Sequence, residues 1–234
     1  NFADSLVLKG KYQVQPELPF SPGAEVAGTV LALGEGVSGL EIGQRVAGMC
    51  GNGGYAEEAL MPASGVVPLP DDMPDEVAAA FPIAYGTSHI ALKHRGQLKE
   101  GETLVVHGAA GGVGLTAVEI GKALGARVIA TAGSDERVAK AKEIGADEAI
   151  NYKTDDVAAR VFEWAPDGVD VLWETRRETD FDWAIGLLAK RGRMVVMAGR
   201  DARPVLPVGA LYVKDCSVHG FAMFNYPAAE QRQC

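Results

Sequence analysis

The feature that most constrains this chain is the run Val105-Val106-His107-Gly108-Ala109-Ala110-Gly111-Gly112-Val113-Gly114, an apolar strand whose small terminal residues lead straight into a helix. Missing Cβ atoms let the backbone turn tightly and approach a ligand, while the helix N-terminus offers free N–H groups at the positive end of its dipole. A pyrophosphate needs that combination. Glycines alone also serve tight structural turns, so the surrounding text decides. After Gly101, strands and helices alternate. Strands read at Thr103 to His107, Arg127 to Thr131, Glu148 to Asn151, Val169 to Trp173, Arg193 to Ala198 and Ser217 to Phe221. Helices read at Val113 to Leu124, Asp135 to Ile144, Asp156 to Trp164 and Phe181 to Lys190. This alternation predicts right-handed βαβ units on a doubly wound parallel sheet, an α/β Rossmann nucleotide-binding domain.

Upstream the text differs. From Gly23 to Pro70 short β-rich runs are punctuated by glycine: Glu25 to Leu33, Arg45 to Met49, Tyr55 to Met61 and Val66-Val67. They predict an all-β module. Helical periodicity follows at Val77 to Phe81 and Ile83 to Leu92, with Pro82 expected to break or kink the run. The expected organisation is a partial β-rich catalytic domain at 1–75, an interdomain helix at 76–98, the nucleotide domain at 99–225 and a return segment beginning at 226–234. The chain opens at Asn1 without methionine and stops in a starting helix around Ala228 to Arg232, so both ends are expected to be cut.

A net charge of −9 disfavours an electrostatic grip on nucleic acid. No apolar run reaches the roughly 18 residues a membrane helix needs, and Asn1 to Lys9 lacks the order of a signal peptide, so a cytoplasmic enzyme is expected. Cys50, Cys216 and Cys234 form no CxxC pair, and His89, His94, His107 and His219 lack metal spacing.

Which dinucleotide is expected follows from the end of the second strand, Val128-Ile129-Ala130-Thr131-Ala132-Gly133-Ser134. NAD-binding domains place an Asp or Glu there for the ribose hydroxyls; here the position is small and uncharged. Gly133 leaves room for a 2′-phosphate, Ser134 can donate to it, and Arg137 can pair with it, which predicts NADPH. The alternatives are that Ser134 merely caps the next helix and that Asp135 swings toward the ribose.

The turn HGAAGGVG, with glycines at Gly108, Gly111 and Gly114, resembles that of quinone oxidoreductases, the zinc-free zeta-crystallin-like family of the medium-chain dehydrogenase/reductase superfamily. Further matches lie at Asn1 to Tyr12, Pro22 to Gly28 and Ile150-Asn151-Tyr152. The resemblance implies a GroES-like β-rich domain before the Rossmann domain and a homodimer through the last strand, Ser217 to Phe221. It places Gly108, Ala110, Gly111, Gly112, Val113 and Gly114 on the pyrophosphate, and Gly133, Ser134, Arg137 and Tyr152 on the adenosine end. Asn1 and Thr87, with Gly199, Phe221 and Met223, are placed by the nicotinamide, and Tyr12 by the acceptor, where it could donate a proton. Zinc relatives carry a cysteine and a Gly-His-Glu tripeptide where this chain has Asn1 and Gly23-Ala24-Glu25, so no metal is expected. Without a Lewis acid, the implied chemistry is hydride transfer from NADPH to a small-molecule quinone or enone. Two departures stand out: Leu6 replaces a second family tyrosine, and Glu174-Thr175-Arg176-Arg177 replaces a glycine-containing turn, with Glu174 either near the cofactor or paired with Arg176 or Arg177. The alternatives are an acyl-thioester (enoyl) reductase, which requires a basic entrance for the carrier phosphates at which the sequence does not place Lys93, His94 and Arg95, and a non-catalytic NADPH-binding or RNA-binding protein of zeta-crystallin type.

Overall fold

The computed structural model describes residues 1–199 and 202–231, so Cys234 lies outside the described residues. The chain divides into two compact units, Asn1–Gly86 with the segment from Tyr226 onward, and Thr87–Asn225.

In the first unit, helix α1 (Phe2–Leu8) starts at Asn1, whose main-chain nitrogen donates to Asp4 Oδ2 at 2.9 Å. Strands β1 (Glu25–Thr29), β2 (Arg45–Met49) and β3 (Val66–Pro68) form an antiparallel meander, with Ala27 opposite Ala47 and Ala47 opposite Val67. β1 is shorter than the run to Leu33 suggests: after Val30 has exchanged bonds with Gln44 and Gly43, the chain leaves the ladder. Nor does Tyr55 to Met61 form a strand. Instead the Tyr55 amide donates to the Pro22 carbonyl at 2.9 Å, and a Cβ on Gly23 would lie 2.6 Å from the Tyr55 ring. Arg45 then ties the end of β3 to helix α2 (Asp75–His89) through Asp75 and the carbonyls of Pro70, Asp71 and Met73. Pro82 lies inside α2 and does not end it. The donor after the proline, the Ile83 amide, is satisfied from outside by Glu25 Oε2 at 2.8 Å, which compensates the disrupted ladder.

From α2 the chain passes through a π-helical turn, Ile90–Arg95, into the second unit. There β4 (Thr103–His107), α3 (Gly112–Ala123), β5 (Arg127–Ala132), α4 (Asp135–Glu143), β6 (Glu148–Asn151), α5 (Val157–Trp164), β7 (Val169–Glu174), α6 (Phe181–Leu187), β8 (Leu188–Val196), α7 (Val208–Lys214) and β9 (Ser217–Gly220) follow in turn. All six strands are parallel, in the order β6-β5-β4-β7-β8-β9. Strand β4 and the core of β7 are buried throughout, as an all-parallel sheet covered by helices requires. The direction of winding reverses between β4 and β7, and in open α/β sheets ligands bind outside the carboxyl ends of the strands at such a point.

Two segments depart from the sequence reading. Helix α6 stops at Leu187 rather than Lys190, because Leu188 turns extended (ψ 140°) to pair with Val169. Helix α7 has no counterpart among the helices read from the sequence and buries none of its residues, leaving Val208, Tyr212 and Val213 exposed. Among the described residues no helix is long and apolar enough to cross a membrane.

Candidate functional site

The carboxyl end of β4 sits at this switch point, and Gly108 follows it with φ +82°, a left-handed conformation that glycine adopts without strain. The amides of Gly108 and Ala109 both donate to the Thr131 carbonyl (3.2 and 2.9 Å), which pins the turn to β5. The Gly111 amide closes the turn on the Gly108 carbonyl at 3.1 Å. Helix α3 runs so close that a Cβ on Gly114 would come within 2.3 Å of the Gly108 carbonyl oxygen. Outward the turn is open: a Cβ on Gly111 meets only that oxygen, at 3.6 Å, and one on Gly112 meets nothing within 4 Å. A 12-residue helix thus presents its first amides, which have no intrahelical partner, to a cradle without side chains. The cradle fits a pyrophosphate.

Three side chains that sequence reasoning missed anchor the first turn of α3. Ser88 Oγ donates to the Val113 carbonyl at 2.8 Å and lies 2.8 Å from Thr116 Oγ1, while Trp173 Nε1 reaches the same carbonyl at 3.4 Å. All three residues are buried. Nothing in their spacing announces this, because the contacts join α2, α3 and β7 through the fold alone.

At the end of β5 the structure gathers the expected adenosine residues. Ser134 is the N-cap of α4, its Oγ accepting from the Arg137 amide at 3.4 Å. Asp135 Oδ1 accepts from Asn151 Nδ2 at 2.7 Å and so is held at the end of β6. This turns Oδ1 of the carboxylate that the sequence leaves open for a ribose toward β6. Tyr152 leans over Gly133 so closely that a Cβ there would be 2.5 Å from its hydroxyl. Arg137 is exposed and has no ion-pair partner among the described residues.

Beyond β7 the segment Thr175 to Glu178 lines an open depression of about 470 Å³. Glu174 is almost wholly buried and accepts from the Arg176 amide at 2.8 Å and from its guanidinium at 3.3 Å. The sequence leaves the choice between Arg176 and Arg177 open; Arg176 takes the carboxylate. His107 Nδ1 lies 3.2 Å from Glu174 Oε2, at ion-pair distance but outside hydrogen-bond geometry. Its ring lies against Trp183 and edge-on to Tyr152. Burial alone would raise the Glu174 pKa, but His107 and Arg176 outweigh it and hold the carboxyl below its ordinary value. Thr175 Oγ1 donates to the His107 carbonyl at 2.7 Å, placing this segment against the glycine turn. On the other side the Arg177 carbonyl abuts Gly199, where a Cβ would come within 2.4 Å of it. Thr87 Oγ1 lies 3.6 Å from Met223 Sδ, and Phe221 is buried edge-on to Trp173, so these expected ring-side residues share one unit.

In the smaller unit Asn1 Nδ2 donates to Glu25 Oε1, and Glu25 Oε2 accepts from Ile83. Burial raises the Glu25 pKa although both donors favour its charge. Tyr12 is half-buried, and burial, with Asp4 nearby, raises its pKa. Cys50 Sγ donates to the Gly23 carbonyl at 3.3 Å, and burial raises its pKa, the opposite of what a thiolate ligand needs. These residues do not fit zinc: both Glu25 oxygens already serve N–H donors, Ala24 has no donor atom, and no group of three suitable ligands occurs among the described residues.

A doubly wound sheet with a glycine turn opening a helix at its switch point defines a dinucleotide-binding Rossmann unit. Two family models match, the "Zinc-binding dehydrogenase" model over residues 112–233 and the "Alcohol dehydrogenase GroES-like domain" model over residues 1–71. The rat quinone oxidoreductase is 35% identical over 237 aligned positions, covering all of this chain and 71% of that protein. A quinone oxidoreductase-like protein 2 homolog from Nematostella vectensis is 38% identical over 224 residues, covering 94% of this chain and 61% of that protein. Among solved structures, the Pseudomonas syringae quinone oxidoreductase superposes with a TM-score of 0.88 at 34% identity, covering 100% of this chain and 73% of that one. The Escherichia coli quinone oxidoreductase, crystallised with NADPH, gives 0.87 at 30% identity, with 100% and 73% covered. The chain belongs to the quinone oxidoreductase family, within the medium-chain dehydrogenase/reductase superfamily. It spans 61% and 66% of the lengths of the two quinone oxidoreductase-like protein 2 relatives, from Nematostella vectensis and Bos taurus.

Proposed function

We propose that this chain is the core of a zinc-independent, NADPH-dependent reductase of quinones or α,β-unsaturated carbonyls. The observation that carries the reading is the open cradle at Gly111 and Gly112 beside a β5 end whose next carboxylate, Asp135, is held through Oδ1 by Asn151. Residues Gly108 and Ala110 to Gly114 would hold the pyrophosphate, and Gly133, Ser134, Arg137 and Tyr152 the phosphorylated ribose. The bound cofactor would supply the hydride. The chain's own part is to bind, orient and exclude water: Thr87, Gly199, Phe221 and Met223 on the ring side, Asn1 against the ring and Tyr12 toward the acceptor oxygen. The resemblance supports the last two roles. The cytoplasmic setting belongs to the same proposal, as does a homodimer through β9, which among the described residues pairs only with β8 at the edge of its sheet. A monomeric mass by light scattering would remove the dimer.

The test follows NADPH oxidation by absorbance with 1,2-naphthoquinone and an enone side by side, NADH serving as control. Turnover with NADPH supports the reading, and the better acceptor names its class; tight NADPH binding without turnover favours a non-catalytic role or a piece lacking its substrate wall. Arg137→Ala is expected to weaken NADPH about tenfold, the value of one exposed charge-assisted contact, while leaving NADH within about twofold. Equal losses for both cofactors would refute the 2′-phosphate assignment.

A further inference from the structure

We propose that Glu25 is a positioning residue of the hydride-transfer site, orienting the Asn1 side-chain amide from beneath; the inference rests on the placement of Asn1 proposed above. Three observations carry it. The two carboxylate oxygens are divided between two donors: Oε1 takes Asn1 Nδ2 and Oε2 takes the Ile83 amide. The second donor comes from the residue after Pro82, where the helix ladder is interrupted, so the carboxylate is anchored to rigid backbone rather than to another mobile side chain. Finally, Asn1 begins α1, and the Asp4 carboxylate, buried at 7% exposure, holds its main-chain nitrogen. The Asn1 backbone is thereby held at the start of α1, where its side chain also accepts from the Asp4 amide in a capping box.

A side-chain amide has a donor end and an acceptor end of nearly the same shape, and sterics alone do not choose between them. An ionised carboxylate only accepts. It therefore obliges Asn1 to turn its nitrogen toward Glu25, leaving the second N–H and the remaining acceptor capacity of Oδ1 as what Asn1 can offer a ligand. In zinc relatives a carboxylate at this place accompanies a metal set; here it has become the orienter of the residue that stands in the cysteine's position.

The isosteric substitution Glu25→Gln tests this. Glutamine has one acceptor oxygen for the two donors, so with the Ile83 amide on that oxygen its side-chain nitrogen faces Asn1 and drives the amide to flip. In Asn1→Asp/Glu25→Gln the polarity is reversed but every group is paired, since the amide introduced at position 25 donates to the carboxylate introduced at position 1. Two readouts are compared. One is the ¹⁵N–¹H spectrum of the Asn1 side-chain amide in wild type and Glu25→Gln, which needs no cofactor; the other is kcat against KM for NADPH and 1,2-naphthoquinone in wild type and both variants. We expect Glu25→Gln to move the Asn1 amide resonances and lower kcat about tenfold, the effect of one misdirected hydrogen bond, with the Kd for NADPH and the Tm nearly unchanged. The double variant should recover kcat in part, because the pairing is restored while the carboxylate at position 1 offers a ligand only acceptor oxygens. Unmoved Asn1 resonances and unchanged kcat in Glu25→Gln would overturn the proposal, and so would a loss of kcat that tracks a lower Tm and is not recovered in the double variant. If the wild type shows no turnover while its Asn1 resonances respond to Glu25→Gln, the orienting contact stands and the hydride-transfer reading falls.

Discussion

Gly111→Asp is expected to abolish NADPH binding while leaving the protein folded. Gly111 has φ −85° and ψ 167°, which any residue adopts, and a Cβ there meets only the Gly108 carbonyl at 3.6 Å. It is also the N-cap of α3, a position where aspartate is favoured, so folding stability should stay level or rise by roughly 0.5 kcal/mol. The new carboxylate would take the first-turn amides and set a negative charge in the pyrophosphate's space. Like charges about 4 Å apart near a protein surface repel by about 4 kcal/mol, enough for a loss of affinity of about a hundredfold or more. Calorimetric titration with NADPH and a parallel thermal melt check both halves. Retained affinity would mean that the phosphates lie elsewhere.

The second large effect is on stability. Glu174→Ala removes the buried carboxylate that serves Arg176 and faces His107, whose side chain is 3% exposed. Breaking a buried pair from one side costs about 3–5 kcal/mol; the lower figure applies because Arg176 is a third exposed and keeps access to water. At about 2–4 °C per kcal/mol for a chain of this size, Tm should fall by about 6–12 °C. Glu174→Gln keeps the bond from the Arg176 amide and should lose less. The pH dependence has a definite sign. Because the folded-state pKa of Glu174 lies below its ordinary value of 4.5, its ionised form stabilises the fold above that pH, and the contribution disappears as pH falls through the folded-state value. Acid unfolding of wild type and Glu174→Gln should therefore converge below that point. A Tm gap independent of pH would show that the carboxylate's charge is not what matters.

Much of this architecture is legible in the residues themselves. The glycine turn and the alternation after Gly101 give the six strands in sequence, all within a residue of their observed bounds except β8, which begins at Leu188 rather than Arg193, because a parallel sheet buried on both faces leaves continuous apolar runs between helices. What could not be read were consequences of contact. Pro82 looks like a helix breaker until Glu25, 58 positions before Ile83, supplies the missing acceptor. Tyr55 to Met61 has a strand's composition, but its first residue is spent against Gly23. Helix α6 loses its last turn to the pairing of Leu188 with Val169, a long-range bond that no local propensity encodes. At the site, Ser134 is recognisable as a cap from its neighbours, whereas the Asp135 bond to Asn151 depends on two strand ends lying side by side. Ser88, Thr116 and Trp173 converge on the first turn of α3 for the same reason.

The most direct test of the central claim is a paired binding titration, NADPH against NADH, on the unmodified chain, followed by tryptophan fluorescence. Saturable binding of one NADPH per chain is expected, at least about tenfold tighter than NADH, because Asp135 is held by Asn151 and Arg137 remains for a 2′-phosphate. Equal or tighter binding of NADH would contradict it.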